Sequence, residues 1–198
     1  MLNRHFYLTI IDDFFTEYEC DYLVEWGKDK LERSRVGVER KISDIRTSKQ
    51  CWLPTNENKI IYDLTHRVAE EVKTPFENAE SVQILSYTEQ QEYRPHYDSW
   101  ELDTPERIKH AQGWGQRVKT ALVYLNDVEE GGATVFPKLG ITVPPKKGRM
   151  VIFKNIDEDN PNFPMYESLH GGLPVEKGQK WACNFWFHQY PASLRRTD

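Results

Sequence analysis

From Ser81 onward the chain becomes a succession of short runs rich in β-branched and aromatic residues: SVQILSY, VKTALVYL, ATVF, RMVIF and WACNFWFH. Gly and Pro punctuate them in GGATVFP, VPPKKG and EKGQ, so the runs read as antiparallel strands joined by tight turns. The part before Ser81 has a different period. Thr16-Glu17-Tyr18-Glu19 has the spacing of a capping box, and Cys20, Leu23, Val24, Gly27 and Leu31 follow at helical intervals, predicting a helix from about Glu17 to Lys30. The polar stretch from Glu32 to Gln50 has no clear period and reads as a loop or irregular hairpin. Ile61, Leu64, Val68 and Val72 then mark one face of a second helix, which should end near Lys73 because Pro75 disfavours helix just before it. Two helices backing a set of antiparallel strands predict an α+β fold, a double-stranded β-helix of the jelly-roll or cupin-like type, able to hold a small ligand in its mouth. With 198 residues one domain is expected, with N-terminal helical support over about 1–78 and a barrel over about 79–192.

Composition excludes several classes of function. Lys and Arg total 26 against 31 Asp and Glu, a net charge of -5, and no dense basic run is present, so a charge-driven grip on nucleic acid is not expected. Three cysteines, Cys20, Cys51 and Cys183, lack any CxxC spacing and favour buried thiols in a reducing compartment. The apolar run at the N-terminus is broken by Asp12 and Asp13, and no stretch approaches the roughly eighteen apolar residues of a membrane span. A soluble, cytoplasmic protein without membrane association is expected. The sequence fixes no oligomeric state.

Chemistry concentrates in YRPHYDSW. On a strand His96 and Asp98 point to one face, because side chains alternate with a period of two. About seventy residues later comes His170, in SLHGG. Two imidazoles and one carboxylate on one face of a metal, with other positions open, form the ligand set of a non-haem Fe(II) oxygenase. Zinc on the same three residues, serving hydrolysis, is the competing metal reading. A strand, a turn around Glu176-Lys177-Gly178 and a returning strand would bring Lys180 beside His170. Lys180 enters a run of aromatic and small residues where an unpaired ammonium is costly, so an anionic partner is expected unless the side chain reaches water at a strand end. His5, His66 and His110 have no companion spacing and read as structural or exposed.

ILSYTEQQEYRPHYD, RVKTALVYLNDVEEGGATVFP and ESLHGGLPVEKGQKWACNFWFH together resemble, in order and spacing over about residues 80 to 190, the catalytic domain of the prolyl 4-hydroxylase family of Fe(II)/2-oxoglutarate dioxygenases. The family's GGxTxFP motif stands at Gly131 to Pro137, and the Arg46-Thr47-Ser48 loop is compatible with the same family. The resemblance implies that His96, Asp98 and His170 bind Fe(II) and that Lys180 binds the far carboxylate of 2-oxoglutarate. Tyr87 and Thr134 would be hydroxyl donors to that cosubstrate. Tyr93, Arg117, Trp186 and His188 match positions lining a peptide groove, and Glu80 matches an acidic position. His188, eight positions after Lys180, would face the mouth with it if the strand is regular. The implied reaction consumes O2 and 2-oxoglutarate, with ascorbate as reductant. It releases succinate and CO2 and hydroxylates C4 of a proline in an extended peptide, which aromatic walls such as Tyr93 and Trp186 suit.

Some features depart from that pattern. Gln90 stands where the family usually has glycine before the HxD strand, so that turn could differ. Residues 99–116 form a polar loop containing Trp100 and Trp114 that could act as a lid and alter the substrate. Two alternatives follow: the same chemistry on a free amino acid or small metabolite, favoured by a closed, charged pocket near Arg117, and a non-catalytic cupin-like binding protein.

Overall fold

Thr16 Oγ1 accepts from Glu19 N while the Glu19 carboxylate accepts from Thr16 N, the reciprocal arrangement that the spacing predicts. It starts helix α1, Glu17–Gly27, which ends three residues before the expected Lys30. Helix α2, Lys59–Val72, is capped by Asn58 and buries Ile61, Leu64, Val68 and Val72. It stops at Lys73, which adopts the left-handed conformation two residues before Pro75. A third helix, α3, Pro105–Ala111, begins at a Thr104 cap inside the segment read as a loop. In this computed structural model all residues are described except 1, 5, 6, 36, 38–40, 158 and 195–198. His5 therefore lies outside the described residues.

The strands, in chain order, are β1 Leu2–Arg4, β2 Leu8–Ile11, β3 Glu32–Arg33, β4 Lys49–Leu53, β5 Val82–Tyr87, β6 Tyr93–His96, β7 Arg117–Tyr124 and β8 Glu130–Gly131. They continue as β9 Thr134–Phe136, β10 Ile141–Val143, β11 Met150–Lys154, β12 Ile156–Asp157, β13 Asn160–Pro164, β14 His170–Gly172, β15 Val175–Lys177 and β16 Lys180–His188. A large antiparallel sheet has the order β1-β2-β11-β7-β16-β5-β4-β3, and a smaller one the order β10-β9-β14-β6. The hairpin β12-β13 and the pair β15-β8 lie outside both sheets. The fold is α+β, a double-stranded β-helix with helices behind the large sheet.

Alternation along the strands divides the large sheet into two environments. Cys51 and Leu53 of β4, Val82 and Ile84 of β5, Ala121 and Val123 of β7, and Cys183, Phe185 and Phe187 of β16 pack with Cys20, Leu23, Ile61, Leu64 and Val68 of the helices. The opposite face carries Gln50, Trp52, Gln83, Tyr87, Leu122, Lys180, Asn184 and Trp186, all lining one cavity. The β7–β16 register breaks once, pairing Phe187 with Lys119 but His188 with Arg117. The skipped residue, Val118, turns Arg117 onto the cavity side while Lys119 faces outward and donates to Val72 O (2.6 Å). Gln90 has φ 64°, so the turn keeps a backbone suited to glycine while carrying a side chain there.

Candidate active site

Strands β14 and β6 pair antiparallel with His170 opposite His96, and Asp98 follows two residues after His96. Each imidazole is fixed through Nδ1, that of His96 at 2.9 Å from Arg94 O and that of His170 at 2.8 Å from Ser168 O. A carbonyl only accepts, so Nδ1 carries a proton in both rings and Nε2 is the nitrogen left to face Asp98. Those Nε2 atoms lie 3.6 Å from Asp98 Oδ1 and Oδ2 respectively. One ligand atom from each residue falls within 4.8 Å of the others. Burial alone would raise the Asp98 carboxyl, but the His170 and His96 imidazoles outweigh it and hold it well below the usual carboxylate range. Burial lowers His170 to about 4, which keeps it neutral near pH 7. Two imidazoles and one ionised carboxylate, aimed at one point from a strand pair, fit a divalent metal with open positions on the cavity side.

Lys180 opens β16 opposite Tyr87 and is 4% exposed. Its Nζ donates to Gly132 O (2.6 Å) and lies 5.4 and 5.3 Å from the rings of Tyr87 and Tyr124. Among the described residues no carboxylate pairs with it, and burial lowers it to about 7. Thr134 Oγ1 is hydrogen-bonded to the Tyr124 hydroxyl (2.7 Å) and lines the cavity with Tyr87. The glycines of GGATVFP hold this corner together: Gly131 has φ 77°, and a Cβ there would sit 2.4 Å from Pro174 O. The cavity has a volume of about 530 Å³, and it receives the metal cluster from the small sheet and Lys180 from the large one.

The sequence pattern of the 2OG-Fe(II) oxygenase superfamily matches residues 82–188. Prolyl 4-hydroxylase 5 of Arabidopsis thaliana is 35% identical over 202 residues, 90% of this chain and 67% of that protein. Prolyl 4-hydroxylase 2 of the same plant is 33% identical over 204 residues, 90% of this chain and 66% of that protein. The chain belongs to the prolyl 4-hydroxylase family of 2OG-Fe(II) oxygenases. It spans about two thirds of the length of those two relatives. Its fold is similar to the viral collagen prolyl hydroxylase vCPH from Paramecium bursaria Chlorella virus-1 in its 2OG complex, with a TM-score of 0.74, 32% identity and coverage of 92% of this chain and 96% of that one.

On the substrate side of this 2OG-Fe(II) oxygenase, the four residues expected to line a groove separate. Tyr93 stacks on the His96 ring (3.5 Å between centroids, 15°) and lines the cavity. Burial raises its hydroxyl to about 12. Trp186 lines the cavity, but its indole Nε1 donates to Asp98 Oδ2 (2.9 Å). Arg117 lies over the Trp186 ring (3.7 Å) and forms a two-pronged pair with Glu80, at 2.5 and 3.0 Å. Burial alone would raise Glu80, but Arg117 and His188 draw it down to about 2. His188 is fully buried and is not among the cavity residues. It stacks on Trp114 (3.7 Å), with Nδ1 on Gly115 O and Nε2 on Glu80 Oε1 (2.6 Å). Strand β16 stays regular there, since the extra residue of the register break is Val118 of β7; His188 keeps the face of Trp186 but is covered from the mouth by Glu80 and Trp114, which line the cavity in its place. His66 stacks on Phe76 far from the metal cluster, whereas His110, on α3, lines the cavity beside Trp100.

Several residues that support or line the site have no counterpart among the sequence candidates. Thr120 Oγ1 donates to Asp98 Oδ2 (2.7 Å) and receives Asn155 Nδ2 (2.8 Å). Gln83 receives Arg46 and Asn184 and donates to Gln50 Oε1 (2.7 Å), making a polar wall on the floor of the large sheet. Period-two alternation of polar residues in strands β4, β5 and β16 is the signal that could have revealed that wall.

Proposed function

We propose that this oxygenase hydroxylates C4 of a prolyl residue within a peptide or protein, consuming 2-oxoglutarate and O2 and releasing succinate and CO2. The observation that carries the reading is the shared cavity of the His96-Asp98-His170 cluster and the Lys180 ammonium, which no carboxylate among the described residues pairs with, walled by aromatic side chains. Fe(II) on those three ligands supplies the oxidising chemistry once 2-oxoglutarate and O2 are present. The chain's own groups do the rest. Lys180 offers its ammonium to the far carboxylate of the cosubstrate, with the Tyr87 and Thr134 hydroxyls beside it. Thr120 and Trp186 occupy Asp98 Oδ2, which leaves Oδ1 oriented for the metal. Trp52 and Trp100 line the cavity and offer apolar surface to an extended proline-containing chain, while Tyr93 and Trp114, already stacked on His96 and His188, help to exclude water.

A free amino acid is disfavoured as substrate at Arg117, because Glu80 already neutralises that guanidinium. Ascorbate fits as the reductant that restores Fe(II) after uncoupled turnover. A cytoplasmic, reducing location is supported by Cys20, Cys51 and Cys183, which are all buried and unpaired as disulfides. The net charge of -5 is consistent with a polypeptide rather than nucleic acid as partner.

The test is succinate formation under air with Fe(II), 2-oxoglutarate and ascorbate, with and without a library of proline-rich peptides, followed by mass analysis. Peptide-stimulated succinate with one added oxygen on proline is the expected result. Succinate without a modified peptide would overturn the prolyl assignment and leave the oxygenase. No succinate at all would overturn both.

A further inference from the structure

Among the described residues two buried cations, Lys180 and Arg46, and one half-buried cation, Arg117, line the cavity with an exposed Arg35, and the first three are neutralised differently. Arg117 is paired with Glu80. Lys180 is assigned above to the cosubstrate. Arg46 is the third, 5% exposed, and its described partners are all neutral: Nε donates to Ser48 Oγ (3.2 Å), one terminal nitrogen donates to Gln83 Oε1 (3.1 Å), and the guanidinium lies 4.6 Å over the Tyr93 ring. Among the described residues no carboxylate pairs with it. Of the cavity's other carboxylates, Glu80 is held by Arg117 and His188, Asp98 belongs to the metal cluster, and Glu32 is exposed at the edge strand β3. A buried guanidinium has five N–H donors in a fixed fork, and two of them are used here. Burying such a charge without an anion is costly, and Arg is the side chain best shaped for a carboxylate.

Its position says which carboxylate. Arg46 covers Tyr93, and Tyr93 covers His96, so the guanidinium stands two stacked layers from a metal ligand and is held to β5 at Gln83, four residues before Lys180's strand partner Tyr87. An extended peptide advances about 3.1–3.4 Å per residue, so a chain with its proline at the metal passes Arg46 within about two residues of that proline.

We infer that Arg46 is a specificity subsite for a carboxylate carried by the substrate next to the target proline, and that the preferred substrate has Asp or Glu within two residues of it. This rests on the prolyl hydroxylase reading and adds a sequence preference to it. The polar wall of Gln83, Gln50 and Asn184 fixes the fork by occupying one of its donors, leaving the remaining edge for the ligand.

The test uses blocked proline peptides in matched Glu and Gln pairs, with the variable residue scanned over the two positions on either side, and a peptide ending at proline with a free carboxylate. Binding is read from tryptophan fluorescence of the protein with a redox-inert divalent ion and 2-oxoglutarate, without turnover, and hydroxylation is scored separately. At one position the Glu peptide should bind about tenfold more tightly than its Gln twin, the size expected of a charge-assisted pair. That ratio should fall to about one in Arg46→Gln and be partly kept in Arg46→Lys. Because a ratio is measured within each variant, a general loosening of the site cancels. Equal binding of every pair, no binding of any peptide, or a ratio unchanged in Arg46→Gln would overturn the subsite. Preference only for the free terminal carboxylate would overturn the side-chain assignment. Discrimination in binding without hydroxylation would sustain the subsite and count against the prolyl reading instead.

Discussion

Thr120 stands between two groups and has a single proton to give. Asn155 reaches it through Nδ2, which can only donate, so the Thr120 hydroxyl proton is left for Asp98 Oδ2. Replacing Thr120 with Val removes that donor and leaves a buried Asn155 amide without its acceptor. We expect Thr120→Val to weaken divalent metal binding by about 10- to 100-fold, as loss of a ligand's supporting hydrogen bond does. Anaerobic Fe(II) or Co(II) titration measures this, and an unchanged affinity would show that Trp186 alone orients the carboxylate. At this scale the sequence is legible wherever chemistry demands particular residue types at short spacing. His96 and Asp98 announce themselves through period two, and Lys180 through a charge inside an apolar run. Thr120 and Arg46 do not, because their partners lie 22 and 37 residues away and nothing local marks the pairing. His188 reads wrongly for a different reason: alternation along β16 gives its face, but Glu80 and Trp114, distant in sequence, cover the ring from the cavity.

At the scale of elements, the segment 99–116 is tied down at its C-terminal end. Gly115 has φ 77°, donates its N–H to Ala111 O and offers its carbonyl to His188 Nδ1. Gln116 N donates to Gln189 Oε1, and a Cβ on Gly115 would lie 2.6 Å from that same oxygen. Gly115→Ala should therefore loosen the anchor by about 1–3 kcal/mol of local strain. The check is hydrogen exchange, expected to quicken over 99–116 while the central strands β7 and β16 keep their protection. Equal exchange would mean that Trp114, stacked on His188, holds the segment unaided. Helices α1 and α2 are readable because caps and an apolar stripe both mark them. Helix α3 is hidden because its seven residues bury only Ala111 and so carry no stripe. Strand β4 is hidden because KQCWL turns Gln50 and Trp52 toward the cavity, which blurs the contrast between an apolar and a polar face.

For the molecule as a whole, Lys180 sets a pH dependence. Burial lowers it to about 7 from an ordinary 10.5, so between those values the unfolded chain holds a proton that the folded, ligand-free protein has released. This group's contribution to stability therefore rises with pH across that window, and below about 7 the full cost of the buried ammonium is felt. Cosubstrate binding has the opposite dependence because it needs the ammonium. Calorimetry with a redox-inert divalent ion should show 2-oxoglutarate affinity level below about pH 7 and falling by up to about tenfold per unit above it, with proton uptake on binding. An affinity flat from pH 6 to 9 would remove Lys180 from that role. The division of the site between the sheets has a mechanical consequence. His96, His170 and Thr134 belong to the small sheet, while Lys180, Tyr87 and the donors that steady Asp98 belong to the large one. A diacid held at one end by the metal and at the other by Lys180 would stitch the seam of the jelly roll, and its replacement by a shorter diacid at the end of each cycle would slacken the stitch, coupling product release to a breathing of the two halves.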